Sequence, residues 1–254
     1  MGAVTSYFDV AQITLYVFWL FFAGLIYYLL QENKREGYPL ESDRSSSIDV
    51  QGWPPMPRPK TYRLQDGGSV TVPNGQRSAQ PLRATPSASF PGAPLDPSGN
   101  AMLDGVGPGS YADRADVVEL TFEGEVKIVP LRVAHDFDVA PQDTDPRGLP
   151  VLGADGNSGG TVRDVWVDRS EMLFRYLEVA VPAAGGERRV LLPINFTRIG
   201  ARQIKVASIL SHQFGQVPPT RHADQVTRLE EEKIVAYYGG GTLYAEPSRM
   251  EPVL

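Results

Sequence analysis

The sequence predicts a single N-terminal transmembrane helix followed by a mainly β domain, with a small antiparallel barrel-like core and a short C-terminal helix. Three observations predict it. Between Asp9 and Glu32, 22 consecutive residues carry no charge, and Ile13 to Leu30 is almost wholly apolar. From Asp116 onward, short runs rich in Val, Leu, Ile and aromatic residues alternate with Gly-bearing turns. Near the C-terminus, Thr227-Arg228-Leu229-Glu230 has the form of a capping box that opens a helix.

The apolar stretch is long enough to cross a bilayer once, because about 20 residues at about 1.5 Å rise span the hydrocarbon core. Tyr16, Trp19, Tyr27 and Tyr28 lie toward its ends, as interfacial anchors do. A cleaved signal peptide would carry a basic leader, whereas this one has Asp9 and no cation. No Lys or Arg precedes the span and Lys34, Arg35 and Arg44 follow it, so the positive-inside rule places the C-terminal side in the cytoplasm. The expected layout is an extracytoplasmic N-terminus over 1–11, a transmembrane helix over 12–31 and a juxtamembrane segment over 32–52. The span has no His, acid, base or Pro, so it offers no axial ligand to a haem or chlorophyll and no proton carrier.

Beyond the span the order of elements follows from composition. Eleven of the 22 prolines sit between Trp53 and Ser110, where missing donors and fixed φ oppose helix and central strand. Residues 53–115 are therefore expected to form an extended strap. One strand pair is expected inside it, TYRL and SVTVP flanking the Gly-bearing turn at Gln65 to Gly68. Six strand-like runs then follow within 116–215: VVELTF, KIVPLRV, TVRDVWV, RYLEVAV, RRVLLPI and QIKVASIL. In the third, Arg163 and Asp164 interrupt the alternation of Val162, Val165 and Val167, as a bulge would. The C-terminal segment, 216–254, holds a helix near 228–238 that Gly239 to Gly241 is expected to end.

Composition excludes several functions. The net charge beyond Asp9 is −5, which argues against a nucleic-acid partner. With no Cys there is no disulfide framework, thiolate metal site or cysteine nucleophile. His135, His212 and His222 lack the spacing of a helical metal pair. Asp136, Asp138, Asp143 and Asp145 fail as a calcium loop because Ala140 and Pro141 stand where a ligand and Gly are needed. No phosphate-binding loop or nucleophile elbow is present, so an enzyme with its own active site is not expected and no metal ligand is assigned. What remains is a set of interleaved carboxylates and bases: Asp168, Glu171, Arg169 and Arg175 in one run, Glu119, Glu123 and Glu125 in another. Partly buried, such groups can have displaced pKa values and pass protons; on the surface they only pair.

Several segments, in order, carry a family resemblance: FFAGLIYYLLQENKREGYPL, PKTYRL, GNAMLDGVGPGSYADRADVVEL, KIVPLRVAHDF, GTVRDVWVDRSEMLFRYLEV, VLLPINF and LEEEKIVAYYGGGTLYAEPSR. They closely resemble the H subunit of the purple bacterial photosynthetic reaction centre. The resemblance implies a structural, non-catalytic subunit in the bacterial inner, intracytoplasmic photosynthetic membrane, with a periplasmic N-terminus and a cytoplasmic domain. It implies one helix beside the L and M subunits and a domain that caps their quinone side and assists proton delivery to the secondary quinone. Bacteriochlorophyll, bacteriopheophytin, quinones, non-haem iron and carotenoid would be held on L and M; core antenna polypeptides, a bound cytochrome and membrane lipids are further partners it admits.

By position in the motifs, the resemblance gives Glu171, Asp168, Arg175 and Glu119 a proton-transfer role and puts Glu123 and Glu125 at the proton-uptake surface, where some members carry a His pair. Another family acid falls at Gln225 and is not carried over. Lipid contact is expected near Tyr28, Lys34 and Arg35, where bases meet anionic head groups. The competing reading is a membrane-anchored adaptor whose domain binds a soluble cytoplasmic partner.

Overall fold

The structure is a computed structural model that describes residues 9–38, 52–64, 67–75, 82–90 and 93–250. It divides into two compact units, Met1–Gln80 and Pro81–Leu254.

In the first unit, helix α1 spans Val10–Arg35, 26 residues, or about 39 Å. Asp9 caps it by accepting from the Ala11 amide at 3.3 Å, which satisfies one of the free N–H groups of the first turn. Thr14 sends its hydroxyl to the Val10 carbonyl at 2.9 Å, so the polar group early in the apolar run is already paired. The large apolar side chains along the helix are exposed in the isolated chain, Leu20 at 75%. A surface of that kind suits lipid or neighbouring helices rather than water. Lys34 and Arg35 occupy the last turn, where cations complement the carbonyl end of the helix.

The proline-rich stretch does contain a strand pair. β1 (Lys60–Arg63) pairs antiparallel with β2 (Ser69–Val72), Lys60 opposite Val72. Of the turn expected between them, Gln65 and Asp66 lie outside the described residues, as do 1–8 and the juxtamembrane 39–51 with Arg44. Gly67 has φ +83, which an L side chain rarely adopts. Glu32 ties this ribbon to the helix end, accepting from Lys60 Nζ at 2.6 Å and from the Tyr62 hydroxyl at 3.4 Å.

The second unit is built on a mixed sheet. Its strands are β5 (Ile128–Pro130), β6 (Pro150–Leu152), β7 (Ser158–Asp168), β8 (Leu173–Ala183), β9 (Gly186–Pro193), β10 (Thr197–Ile199) and β11 (Ile204–Val206). A small pair, β3 (Ala84–Pro86) with β4 (Leu95–Pro97), precedes it. The ladder runs β10-β11-β6-β7-β8-β9, and β5 adds to β7 beside Val167 and Asp168. All pairs are antiparallel except β11 with β6, which is parallel; the sequence reading expected an antiparallel core throughout. β9 does not pair back to β10 among the described residues, so the core is a curved open sheet rather than a closed barrel.

Two irregularities have clear causes. Between Val162 and Asp164 the register against β8 shifts, leaving Arg163 out of the pairing: this is the bulge that the broken alternation predicts. It lets Val162, Asp164, Val165, Trp166 and Val167 all be buried. The expected strand VVELTF instead makes two isolated bridges, Val118 to Thr227 and Leu120 to Val126, around a tight turn at Thr121 to Gly124.

Helix α2 (Arg228–Tyr244) covers the core with Ile234, Tyr237 and Tyr238. Its capping box forms as expected: Thr227 Oγ1 accepts from the Glu230 amide at 3.2 Å, and Glu230 accepts from the Thr227 amide at 2.8 Å. Contrary to the sequence reading, Gly239 to Gly241 do not end it; the helix continues through them to Tyr244. These glycines allow close packing. A Cβ on Gly241 would lie 2.4 Å from Ile209 Cγ2 and 2.6 Å from the Ser208 carbonyl oxygen, and one on Gly239 would lie 2.7 Å from the Pro108 oxygen.

Candidate functional site: a carboxylate cluster around Lys127

Four backbone connections assemble the site. Asp168 ends β7 opposite Ile128 at the start of β5, so Lys127 lies beside it. The Lys127 amide donates to the Glu119 carbonyl at 2.8 Å, which holds the 116–119 segment against the same edge. The turn from β7 to β8 carries Glu171 and returns the chain so that Arg175 faces Asp168. The bridge from Val118 to Thr227 then brings the first turn of α2 to this place.

Lys127 is the centre of the result. Its ammonium stands 3.5 Å from Glu119, 3.5 Å from Asp168 and 3.7 Å from Glu171. Arg175 closes the other side, 3.4 Å from Asp168 and 3.3 Å from Glu171. The structure therefore brings together the four residues Glu119, Asp168, Glu171 and Arg175. Their exposure is graded: the Asp168 side chain is fully buried, whereas those of Glu119 and Glu171 are 44% and 49% exposed. Asp168 is also held by the amides of Ser170 at 3.0 Å and Glu171 at 2.9 Å, a turn that makes the carboxylate an anchor for its own loop. Met172, next in that loop, adopts φ +54, an uncommon conformation for a residue with a side chain.

Electrostatics follow from this geometry. Burial works against a charged Lys127, yet Asp168, Glu119 and Glu171 outweigh it and hold the ammonium above its ordinary pKa. Arg175 is likewise held in its charged form, burial being overcome by Glu171, Asp168 and Glu231.

Glu231 was not singled out by sequence reading. Placed in the first turn of α2, it accepts from the Tyr176 hydroxyl at 2.7 Å. Burial pushes its carboxyl above the usual range, against the lowering effects of the Tyr176 hydrogen bond and Arg175, and Glu119 adds to the rise. Tyr176 is itself displaced upward, by burial and then by Glu231. A signal was present: Glu231 shares the i, i+3, i+7 face of the helix with the buried Ile234 and Tyr238. An acid on the apolar stripe of a helix must find partners.

The remaining candidates lie elsewhere. Glu125, at the end of the Thr121 turn, is exposed and pairs with Arg169, while Glu123 at the tip is exposed. Within the first unit, Lys34 is buried and donates to the carbonyls of Gly52 and Pro54; Arg35 donates to the Arg58 carbonyl and pairs with Glu32 at 3.1 Å. Tyr28 is exposed, with Lys60 Nζ 5.5 Å from its ring centroid. In the acidic loop, Arg147 engages Asp145 at 2.7 Å and Asp138 at 2.9 Å. Among the described residues, no group of three or more His, Cys, Asp or Glu side chains is placed to hold a metal.

A second ionic network is centred on two buried carboxylates and reaches the surface through Asp224, which pairs with Arg132 at 2.8 Å, and Arg189, which pairs with Glu178 at 2.9 Å. Asp164 and Glu178 face each other across β7 and β8, where like charges repel. Arg132 lies between them, 2.9 Å from Asp164 and 2.8 Å from Glu178, and Trp166 Nε1 donates to Glu178 at 3.1 Å. It fastens the 131–134 turn to the sheet.

Residues 2–133 match the family model described as photosynthetic reaction centre, H-chain N-terminal region, and residues 142–213 match the PRC-barrel domain. The first family implies association with the L and M subunits, in a complex that carries pigments and quinones. Together with the single apolar span among the described residues, it makes this a single-pass membrane protein and a structural subunit. With just over half its length matched by that first model, the chain belongs to the photosynthetic reaction-centre H-chain family.

Proposed function

We propose that this subunit caps the quinone side of the L/M pair and assists proton delivery to the secondary quinone, without an active site of its own. The observation that carries the reading is the gathering of Glu119, Asp168, Glu171 and Glu231 around Lys127 and Arg175, from half-exposed to fully buried. Carboxylates in mixed burial, each neighboured by a cation and another acid, can exchange protons without any single group carrying a permanent charge imbalance. Glu123 and Glu125, on the exposed turn, serve as the uptake surface. In this reading the C-terminal unit lies in the cytoplasm and the N-terminus in the periplasm, which the cations Lys34 and Arg35 in the last turn of α1 support through the positive-inside rule.

The segment boundaries fit this role: residues 1–11 outside, 12–31 spanning, 32–52 at the interface, 53–115 as a strap, 116–215 as the proton-conducting domain and 216–254 as its C-terminal cover. Tyr28, Lys34 and Arg35 stand at head-group level; Tyr28 offers the free surface, and the two cations brace the strap. The purified subunit should come away with bacteriochlorophyll absorbance and two larger hydrophobic chains. In that complex, Glu171→Gln should slow second-electron transfer to the quinone. Identical kinetics from about pH 5 to 9, where displaced carboxylates titrate, would refute the proton-path assignment.

A further inference from the structure

We propose that Glu231 is a proton-storing group of the cluster and that Tyr176 is its positioning residue, the phenol hydroxyl setting the pH at which the store empties. The inference rests on the proton-delivery reading above and gives the acid and the phenol at the helix edge of that cluster their separate roles.

The geometry is specific. Tyr176 lies on β8 between Arg175, which faces the cluster, and Leu177 in the core, and it is 4% exposed. Its ring packs among buried apolar groups while its hydroxyl reaches Glu231 on α2 at 2.7 Å. That contact joins sheet to helix at the point where the cluster ends. A phenol at this site donates to a carboxylate and so favours the charged form of Glu231, opposing the burial that favours the neutral form. The titratable and charged groups that act on Glu231 come from several elements: the neutral Tyr176 phenol and Arg175 from β8, Glu119 from the 116–119 segment and Lys127 from the approach to β5, while Glu232 on the same helix acts on Tyr176.

Two opposing influences of this kind keep a carboxyl able to hold a proton and able to give it up. When a neighbouring carboxylate is left without its proton, Glu231 transfers one, becoming anionic under the Tyr176 hydrogen bond, and is refilled from bulk water; no electron moves. A carboxylate at this position without the phenol would be harder to ionise and would release its proton only at higher pH.

The test uses the assembled complex and three variants. Tyr176→Phe keeps the ring and its packing and removes only the hydroxyl. It should shift the pH dependence that Glu231 gives to second-electron transfer upward by about one pH unit, the equivalent of one hydrogen bond to a charged group. Glu231→Gln should abolish that titration step and delete the carboxyl stretch that Glu231 contributes to the infrared difference spectrum on quinone reduction, a band that Tyr176→Phe should displace. If both variants superimpose on wild type in pH profile and spectrum while Glu171→Gln slows transfer, this inference is overturned and the cluster reading stands. If Glu171→Gln also superimposes, the proton-delivery reading fails and takes the inference with it.

Discussion

Asp168→Asn separates structure from proton traffic within the cluster. The Asp168 carboxylate is fully buried, accepts from two backbone amides and stands 3.5 Å from Lys127 and 3.4 Å from Arg175. An Asn carbonyl oxygen can keep the amide contacts, so the loss falls on the two cations. Removing one partner of a buried ion pair costs about 3 to 5 kcal/mol. Here Glu171 still neighbours both cations, at 3.7 and 3.3 Å, and Glu119 still neighbours Lys127 at 3.5 Å. The cost should therefore sit at the lower end, about 3 kcal/mol, or roughly 6 to 12 °C in Tm for a domain of this size. Glu171→Gln touches a carboxylate 49% exposed, whose pairs are screened and worth below about 1 kcal/mol. Thermal unfolding of the detergent-solubilised full chain, followed by near-ultraviolet circular dichroism, reads both. Equal melting of Asp168→Asn and wild type, or a larger drop for Glu171→Gln, would refute the division of labour.

Three further outcomes follow. Arg132→Met should destabilise the second unit by about 3 kcal/mol, because buried Asp164 loses its cation while Glu178 opposite it keeps Arg189 at 2.9 Å; denaturant midpoints measure it. Gly241→Ala should lower the melting temperature although Ala favours helix by about 1 kcal/mol, since its Cβ would meet Ser208 and Ile209 at 2.6 and 2.4 Å. Burial works against a charged Asp155, yet its hydrogen bonds with Ser211 and Asn157 outweigh it and lower the pKa from 3.8 to about 2. The folded state thus binds fewer protons there than the unfolded one, and its stabilisation is complete above the ordinary value and fades as pH falls toward 2. Asp155→Asn should flatten the acid limb of a stability curve over that window, its deficit against wild type being largest at neutral pH and closing as pH falls toward 2.

Much of this arrangement is legible in the residues because strong local signals agree with the fold. The uncharged run from Val10 to Gln31 is long enough to span and has no basic leader before it, and Thr227 with Glu230 can form their reciprocal cap from local contacts alone. The long strands β7, β8 and β9 announce themselves through Val-rich runs, and the Arg163 bulge through broken alternation. Short elements escape: β6 and β10 have three residues each, too few for any period to register. The glycines of α2 mislead because the usual sign of a helix end serves close backbone approach instead. At the site, family motifs point to Glu119, Asp168, Glu171 and Arg175, but not to Lys127 as their common partner. That role depends on β5 pairing with β7 across a gap of some forty residues. Glu231 depends on a sheet-to-helix contact 55 residues apart in sequence.

The most direct measurement of the central claim is proton uptake by the assembled complex after a second flash, followed with a pH-indicator dye in wild type and in Glu119→Gln/Glu171→Gln. If the cluster carries protons, the double variant takes them up markedly more slowly while the first flash-induced electron transfer is unaffected. Uptake at the wild-type rate would contradict it.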